Sequence, residues 1–260
     1  MNTASPTECL EQTVAYFQPQ FSVITGDLFG AEALARWNHK KLGILGPFHF
    51  LPMMHSVALR RALWERMLSQ TLDMLTHQQH HNLCIGVNVS ADVASSDSWA
   101  ESVAHQVSER NIKASTLAIE VTEDGGDGCD AGLAESVNTL RQLGFDCAID
   151  DFGTGFSSLQ RLAVIPFSTL KIDKGFVWRA RSSSVDRKIL NNTVALAHDL
   201  GLSVTAEGVE TEEDFQRVAK LGCEVAQGYY FAKPMPADQF IAYSQNQIQY
   251  QHQKDFVLRA

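Results

Sequence analysis

Eight short apolar runs alternate along this 260-residue chain with longer stretches of helical pattern, and that alternation limits the possible folds more than any other feature. The runs lie near 14–23, 28–37, 83–90, 116–123, 146–152, 169–174, 203–209 and 224–232. Helices are expected around 58–78, 98–111, 130–143, 184–200, 211–221 and 236–247. In the fourth of these, Thr193, Leu196, Ala197 and Leu200 keep an i, i+3, i+4, i+7 stripe. Only Ile24-Thr25-Gly26-Asp27 separates the first two runs, a turn-rich link suited to an antiparallel hairpin. The other connections are long enough for parallel crossovers. The pattern predicts an α/β fold, a modified TIM (β/α)8 barrel whose first strand is antiparallel to its neighbours. No linker or internal repeat divides it, so residues 13–247 are expected to form one barrel, with an N-terminal arm over 1–12 and a C-terminal tail over 248–260.

Seven of the runs carry one polar residue near the C-terminal end: Glu32, Asn88, Glu120, Asp150, Lys171, Glu207 and Gln227. Parallel strands covered on both faces normally read as continuous apolar runs. A charge inside one must be paired, bound to metal, or placed at the mouth of a cavity. Strand period puts Gly86 on the face of Asn88, Ala118 on that of Glu120 and Ala148 on that of Asp150. Small residues below and polar groups at the C-terminal end suit a barrel mouth, where active sites of this fold collect.

The stretch Ala148-Ile149-Asp150-Asp151-Phe152-Gly153-Thr154-Gly155 adds a second carboxylate where the chain turns. Glu32, Glu120, Asp150, Asp151 and Glu207 then share one cavity with a single evident cation, Lys171. Like charges ~4 Å apart repel by about 4 kcal/mol per pair at an effective dielectric near 20. Divalent cations relieve that repulsion, and an all-oxygen donor set favours Mg2+ or Mn2+ over zinc. Adjacent aspartates suggest two ions ~3.5–4 Å apart with Asp150 bridging, an arrangement suited to phosphate-ester cleavage.

The net charge of −9 argues against a general DNA-binding surface or attraction to anionic membranes. Five cysteines without a CxxC pair fit a reducing cytosol. The first dozen residues lack signal-peptide character, and no apolar run approaches spanning length, so a cytoplasmic protein without membrane insertion is expected.

Taken in order, Glu32-Ala33-Leu34 with Arg36-Trp37, Asn88-Val89-Ser90, Glu120-Val121-Thr122-Glu123, Asp150-Asp151-Phe152-Gly153-Thr154-Gly155, Lys171-Ile172-Asp173, Ala206-Glu207-Gly208-Val209-Glu210-Thr211 and Gln227-Gly228-Tyr229-Tyr230-Phe231 resemble the EAL-domain cyclic di-GMP phosphodiesterases of bacteria. The three letters EAL alone mean little; the ordered set is specific and runs from near residue 13 to near 245. The resemblance implies hydrolysis of cyclic di-GMP to linear pGpG, lowering a second messenger linked to biofilm signalling. It implies one metal held by Glu32, Asn88, Glu120 and Asp150, and a second by Asp150, Asp151 and Glu207. Among the catalytic groups, Lys171 would orient or deprotonate the attacking water, Gln227 would join its network, and Glu123 would anchor the Phe152–Ser158 loop. Gln18, Leu34, Arg36, Asp173 and Tyr230 would contact substrate, Arg36 at a phosphate. Tyr230 either stacks on guanine or packs on the rim. Ca2+ is expected to inhibit. The resemblance further implies a homodimer and, as in many relatives, a possible sensory or response-regulator partner.

Two departures stand out. Where the family shows Pro-x-x-Phe-Ile-Pro-x-Ala-Glu, this chain has Pro47-Phe48-His49-Phe50-Leu51-Pro52-Met53-Met54-His55, and Lys174 replaces a frequent arginine. The lost glutamate bears on affinity or regulation more than on the metals. Other signals carry no function. Gly153-x-Gly155 lacks the rest of a nucleotide-loop motif, and His77, His80 and His81 read as a solvated helix end. The rival functions are a non-catalytic cyclic di-GMP receptor signalling through a partner, against which stands the full ligand set, and an unrelated metal-dependent lyase or aldolase barrel, for which no motif speaks.

Overall fold

The computed structural model describes residues 5–77, 83–122, 130–152 and 158–259. Its strands are β1 Thr13–Ser22, β2 Leu28–His39, β3 Gly43–Leu45, β4 Cys84–Ser90, β5 Leu117–Thr122, β6 Asp146–Phe152, β7 Thr169–Ile172, β8 Ser203–Ala206, β9 Val225–Gln227 and β10 Met235–Pro236. Its helices are α1 Pro6–Glu11, α2 Val57–His77, α3 Ala91–Ala94, α4 Trp99–Glu109, α5 Asp130–Gln142, α6 Ser158–Val164, α7 Lys174–Arg179, α8 Ser184–Asp199, α9 Glu212–Leu221 and α10 Ala237–Arg259.

Eight strands close a barrel in the order β1-β9-β8-β7-β6-β5-β4-β2 and back to β1, while β3 and β10 extend its rim. The six pairings from β2–β4 round to β8–β9 are parallel. β1 alone is antiparallel to both barrel neighbours, β2 and β9. The reason is local. Gly26 at φ 75 lets the chain reverse within the short link, closed by hydrogen bonds from Gly26 N to Ser22 O and Ser22 N to Asp27 O, both 2.9 Å.

Valine, isoleucine and leucine from the parallel strands fill the shell between barrel and helices, with Ile85, Val87, Ile119, Ile149, Leu170 and Val204 almost wholly buried. α9 shows how the sequence sets helix limits. Thr211 and Asp214 form a reciprocal capping box at its start, and Gly222 at φ 87 ends it.

Several expectations change in detail. The buried stripe of α8 is Leu190, Val194 and Ala197, whereas Leu200 caps the helix and stands 48% exposed. The seventh run ends as a strand at Ala206, because Gly208 at φ 66 turns the chain. The eighth ends at Gln227, where Tyr230 N and Phe231 N already bond to Val209 O and Gly228 O. α10 continues past residue 247 to Arg259, and residues 6–11 form a helix with Cys9 buried. Cys84, Cys147 and Cys223 are buried free thiols, each pushed up to about 12 by desolvation. Among the described residues no helix is long and apolar enough to cross a membrane.

Candidate active site

Barrel register gathers the polar strand ends. Gln18 stands beside Glu32, Gln20 beside Gln227, and Asn88 beside Glu120. Gly86 lies between Glu32 and Ala118 in the ladder, and the Glu120 side chain fills the space above it. A Cβ on residue 86 would sit 1.9 Å from Glu120 Oε1, so the glycine is what allows that carboxylate its position.

Lys171, only 1% exposed, is the hub. Its Nζ lies 2.6 Å from Glu120 Oε2, 2.8 Å from Glu207 Oε1, 3.1 Å from Asp150 Oδ1 and 3.5 Å from Glu32 Oε2. Burial alone would strip its proton, but the four carboxylates hold its pKa well above the ordinary lysine value. One ammonium cannot neutralise them all. Desolvation, with repulsion from its neighbours, pushes Glu120 up to about 8 and Asp151 up to about 6, and raises Asp150 and Glu207 as well. Glu32 behaves differently. Burial pushes it up, yet Lys171 and hydrogen bonds from Gln227 and Asn88 together bring it below the usual carboxylate value.

A relay of amides fixes Glu32. Gln227 Nε2 donates to Glu32 Oε2 at 2.7 Å, and Gln227 Oε1 accepts from Gln20 Nε2 at 2.7 Å. Asn88 Nδ2 donates to Glu32 Oε1 at 2.6 Å, leaving Asn88 Oδ1 buried with no hydrogen-bond partner. A buried acceptor without a donor costs about 1–3 kcal/mol, and a cation would satisfy it.

Asp151 stands at φ 53, in the left-handed region, and the β6–β7 register slips between Ile149 and Phe152. Asp150 and Asp151 thereby both line the same cavity although they are neighbours on one strand. Two oxygen-donor groups result, Glu32/Glu120/Asp150 and Asp150/Asp151/Glu207, each with its ligand atoms within 4.8 Å of one another. Asp150 belongs to both. The donor chemistry and the orphaned Asn88 oxygen fit a pair of hard divalent cations.

Above this layer opens a cavity of about 880 Å³ lined by Gln18, Glu32, Leu34, Arg36, Asn88, Asp150, Asp151, Glu207 and Gln227, with Glu120 and Lys171 buried beneath its floor. Arg36 donates to Ala35 O at 2.8 Å and lies over the Tyr16 ring at 6.0 Å. Two expected substrate contacts do not line the cavity. Asp173 turns away to cap α7, with Oδ1 accepting from Gly175 N at 2.8 Å. Tyr230 hydrogen-bonds Glu212 and stacks on Phe215 at 5.9 Å, while its neighbour Tyr229 lines the cavity. Glu123 and most of the Phe152–Ser158 loop, like His80 and His81, lie outside the described residues.

The sequence reading missed part of the wall. Arg60 and Asp92 face the cavity as an ion pair, and Met54, Trp64, Lys174 and Trp178 line it too. Arg60 and Asp92 sit on helices, where charges usually signal solvent rather than a site.

A closed mixed barrel with an acidic, lysine-centred mouth defines the class: a barrel whose strands gather, at their C-terminal ends, carboxylate clusters that could hold metal ions. The EAL domain family matches residues 9–234, and the chain belongs to that family. It is 39% identical over 231 residues to the cyclic di-GMP phosphodiesterase RocR of Pseudomonas aeruginosa, covering 88% of this chain and 59% of RocR. It is 34% identical over 230 residues to the cyclic di-GMP phosphodiesterase PdeL of Escherichia coli, covering 87% of this chain and 64% of PdeL. The chain thus spans less than two thirds of either relative. The solved PaMucR phosphodiesterase in complex with c-di-GMP superposes with a TM-score of 0.83 at 35% identity, covering 90% of this chain and 97% of that one.

Proposed function

We propose that this chain hydrolyses cyclic di-GMP to linear pGpG with two bound divalent cations, Mg2+ or Mn2+. The observation that carries the reading is the convergence of Glu32, Glu120, Asp150, Asp151 and Glu207 around Lys171 beside the unpaired Asn88 oxygen. The phosphodiesterases RocR and PdeL, and the c-di-GMP complex of PaMucR, support the choice of substrate. When bound, two such ions supply a nucleophile by lowering the pKa of a water and neutralise charge developing on phosphoryl oxygens.

The protein's own groups supply the rest. Asp150 belongs to both oxygen-donor groups and would serve both cations. Glu32 is kept ionised and immobile by Gln227 and Asn88. Lys171 holds its proton at Nζ, so it takes none from the water and instead offsets the charge of the carboxylates around it. As the P–O bond to water forms and the P–O3′ bond breaks, the water gives up a proton to solvent, O3′ leaves with one, and the ring opens. Arg36 has no carboxylate partner among the described residues and contacts a phosphate as a free cation. Leu159 and Val164 of α6 stand 63% and 62% exposed, which supports a homodimer through that helix, testable by light scattering.

Incubation with cyclic di-GMP and Mg2+ or Mn2+, resolving pGpG by chromatography, tests the proposal. Turnover that stops in chelator fits; tight binding without turnover in any divalent metal would make the chain a receptor.

A further inference from the structure

The cavity carries two arginines in opposite electrical states. Arg36 lacks a carboxylate partner among the described residues. Arg60 does not. Its Nε lies 3.0 Å from Asp92 Oδ2, its Nη2 bonds the same oxygen, and its Nη1 donates to Met54 O at 3.0 Å. Asp92 is itself held by Ser90 Oγ at 2.6 Å, and the pair is only partly exposed, 32% for Arg60 and 15% for Asp92.

This arrangement restricts what Arg60 can bind. Its charge is cancelled in place, so it is a weak anchor for phosphate. A guanidinium has five N–H donors in a rigid planar fork, and three are engaged here, leaving two. Asp92 and Met54 O hold the plane from two sides, so those two donors have little freedom to lose on binding. The neighbouring wall is apolar, from Leu51, Leu63, Trp64 and Met67. A neutral, planar ligand with two adjacent acceptors on one edge fits both features. Guanine has such an edge in O6 and N7, and arginine recognises it bidentately. Adenine offers N7 beside an amino group, which would face an N–H and leave a donor unpaired.

We infer that Arg60, held by Asp92 and Met54, reads the O6/N7 edge of one guanine of the dinucleotide and is a specificity-determining residue of this site. The inference rests on the cyclic di-GMP reading proposed above. It assigns base recognition to Arg60 and phosphate contact to Arg36.

The test uses Arg60→Lys, which keeps a cation beside Asp92 but lacks the fork, with Asp92→Asn as a second variant that keeps the shape of the positioning group. Turnover and calorimetric binding are measured for cyclic di-GMP, cyclic di-IMP, which keeps O6 and N7 but lacks the 2-amino group, and cyclic di-AMP. The unmutated chain should treat the guanine and hypoxanthine compounds alike and disfavour the adenine one. Arg60→Lys should raise KM for the first two roughly ten- to a hundredfold with kcat little changed, and leave cyclic di-AMP unaltered, so that discrimination collapses. Asp92→Asn should change KM in the same direction by less. Equal losses on all three compounds, or rejection of cyclic di-IMP by the unmutated chain, would overturn the assignment while leaving the phosphodiesterase reading standing. Failure of the unmutated chain to bind or cleave cyclic di-GMP would overturn both.

Discussion

The backbone N–H of Asp151 donates to Oδ1 of Asp150 at 2.9 Å, because Asp151 stands at φ 53 and folds its peptide back onto its neighbour. Aspartate and asparagine tolerate this conformation better than other residues that bear a Cβ, and a β-branched residue there is a true outlier. Asp151→Asn should therefore keep the fold, with Tm within a few degrees, while turnover drops at least tenfold. Asp151→Val should lose stability as well, by about 1–2 kcal/mol of backbone strain. Thermal melts beside rate measurements check the pair; an unstrained Asp151→Val would refute the role given to the turn.

Gly86 is expected to be a site residue without any chemistry of its own. In Gly86→Ala the new methyl meets the Glu120 carboxylate at 1.9 Å, so Glu120 must leave its place against Lys171. Turnover and metal affinity should fall at least tenfold, with a stability cost of about 1–3 kcal/mol from overpacking. Gly228→Ala makes the contrast. Its methyl would meet the Val209 backbone oxygen, also at 1.9 Å, which cannot swing aside, so stability should suffer more. Calorimetric titration with Mn2+ and melts of both variants decide the matter; unchanged Mn2+ affinity in Gly86→Ala would contradict it.

The metal-free cluster should lose stability as pH rises. Glu120 titrates near 8 and Asp151 near 6 in the folded chain, against about 4 when unfolded. Between about pH 4 and pH 8 the folded form therefore holds more protons at these positions, so the stability they contribute, complete below pH 4, is progressively lost. In chelator, the Tm of the unmutated chain measured relative to Glu120→Gln should decline across that window. Added Mn2+, which binds the ionised carboxylates, should raise Tm more at pH 8 than at pH 5. A flat difference between the two chains would count against the raised Glu120 pKa.

Removing metal is expected to abolish turnover reversibly. Chelator should stop pGpG formation, and Mg2+ or Mn2+ in excess should restore it. Ca2+ should bind and compete without supporting the reaction, since its longer, looser coordination places oxygen ligands poorly for the chemistry. Competition kinetics with fixed Mn2+ and rising Ca2+ measure this, and full activity in Ca2+ would contradict it.

The barrel and its mouth were legible for one physical reason. A strand buried on both faces has no use for a charge, so Glu32, Glu120, Asp150 and Lys171 announce themselves against Val, Ile and Leu. The antiparallel first strand was legible from the shortness of the link over Ile24–Asp27. What lay off the strands was hidden. Arg60 and Asp92 occupy helix starts, where charge is common, and only the folded chain shows them paired in the cavity wall. Asp173 and Tyr230 sit next to residues of the site, but one turns to cap α7 and the other to meet Glu212. One residue of register decides such cases, and no pattern in the sequence marks it.

Asp150 is shared by both oxygen-donor groups, so the paired behaviour of the unmutated chain and Asp150→Asn is the most direct test of the two-cation account. Both proteins are given cyclic di-GMP with Mn2+, and pGpG formation and calorimetric binding are followed together. The account predicts rapid cleavage by the unmutated chain, a loss of several orders of magnitude in the variant, and residual binding in the variant, because Arg36 and Arg60 are untouched. Cleavage by Asp150→Asn at the unmutated rate would contradict it, and so would an unmutated chain that binds the dinucleotide tightly but cleaves it with no divalent metal.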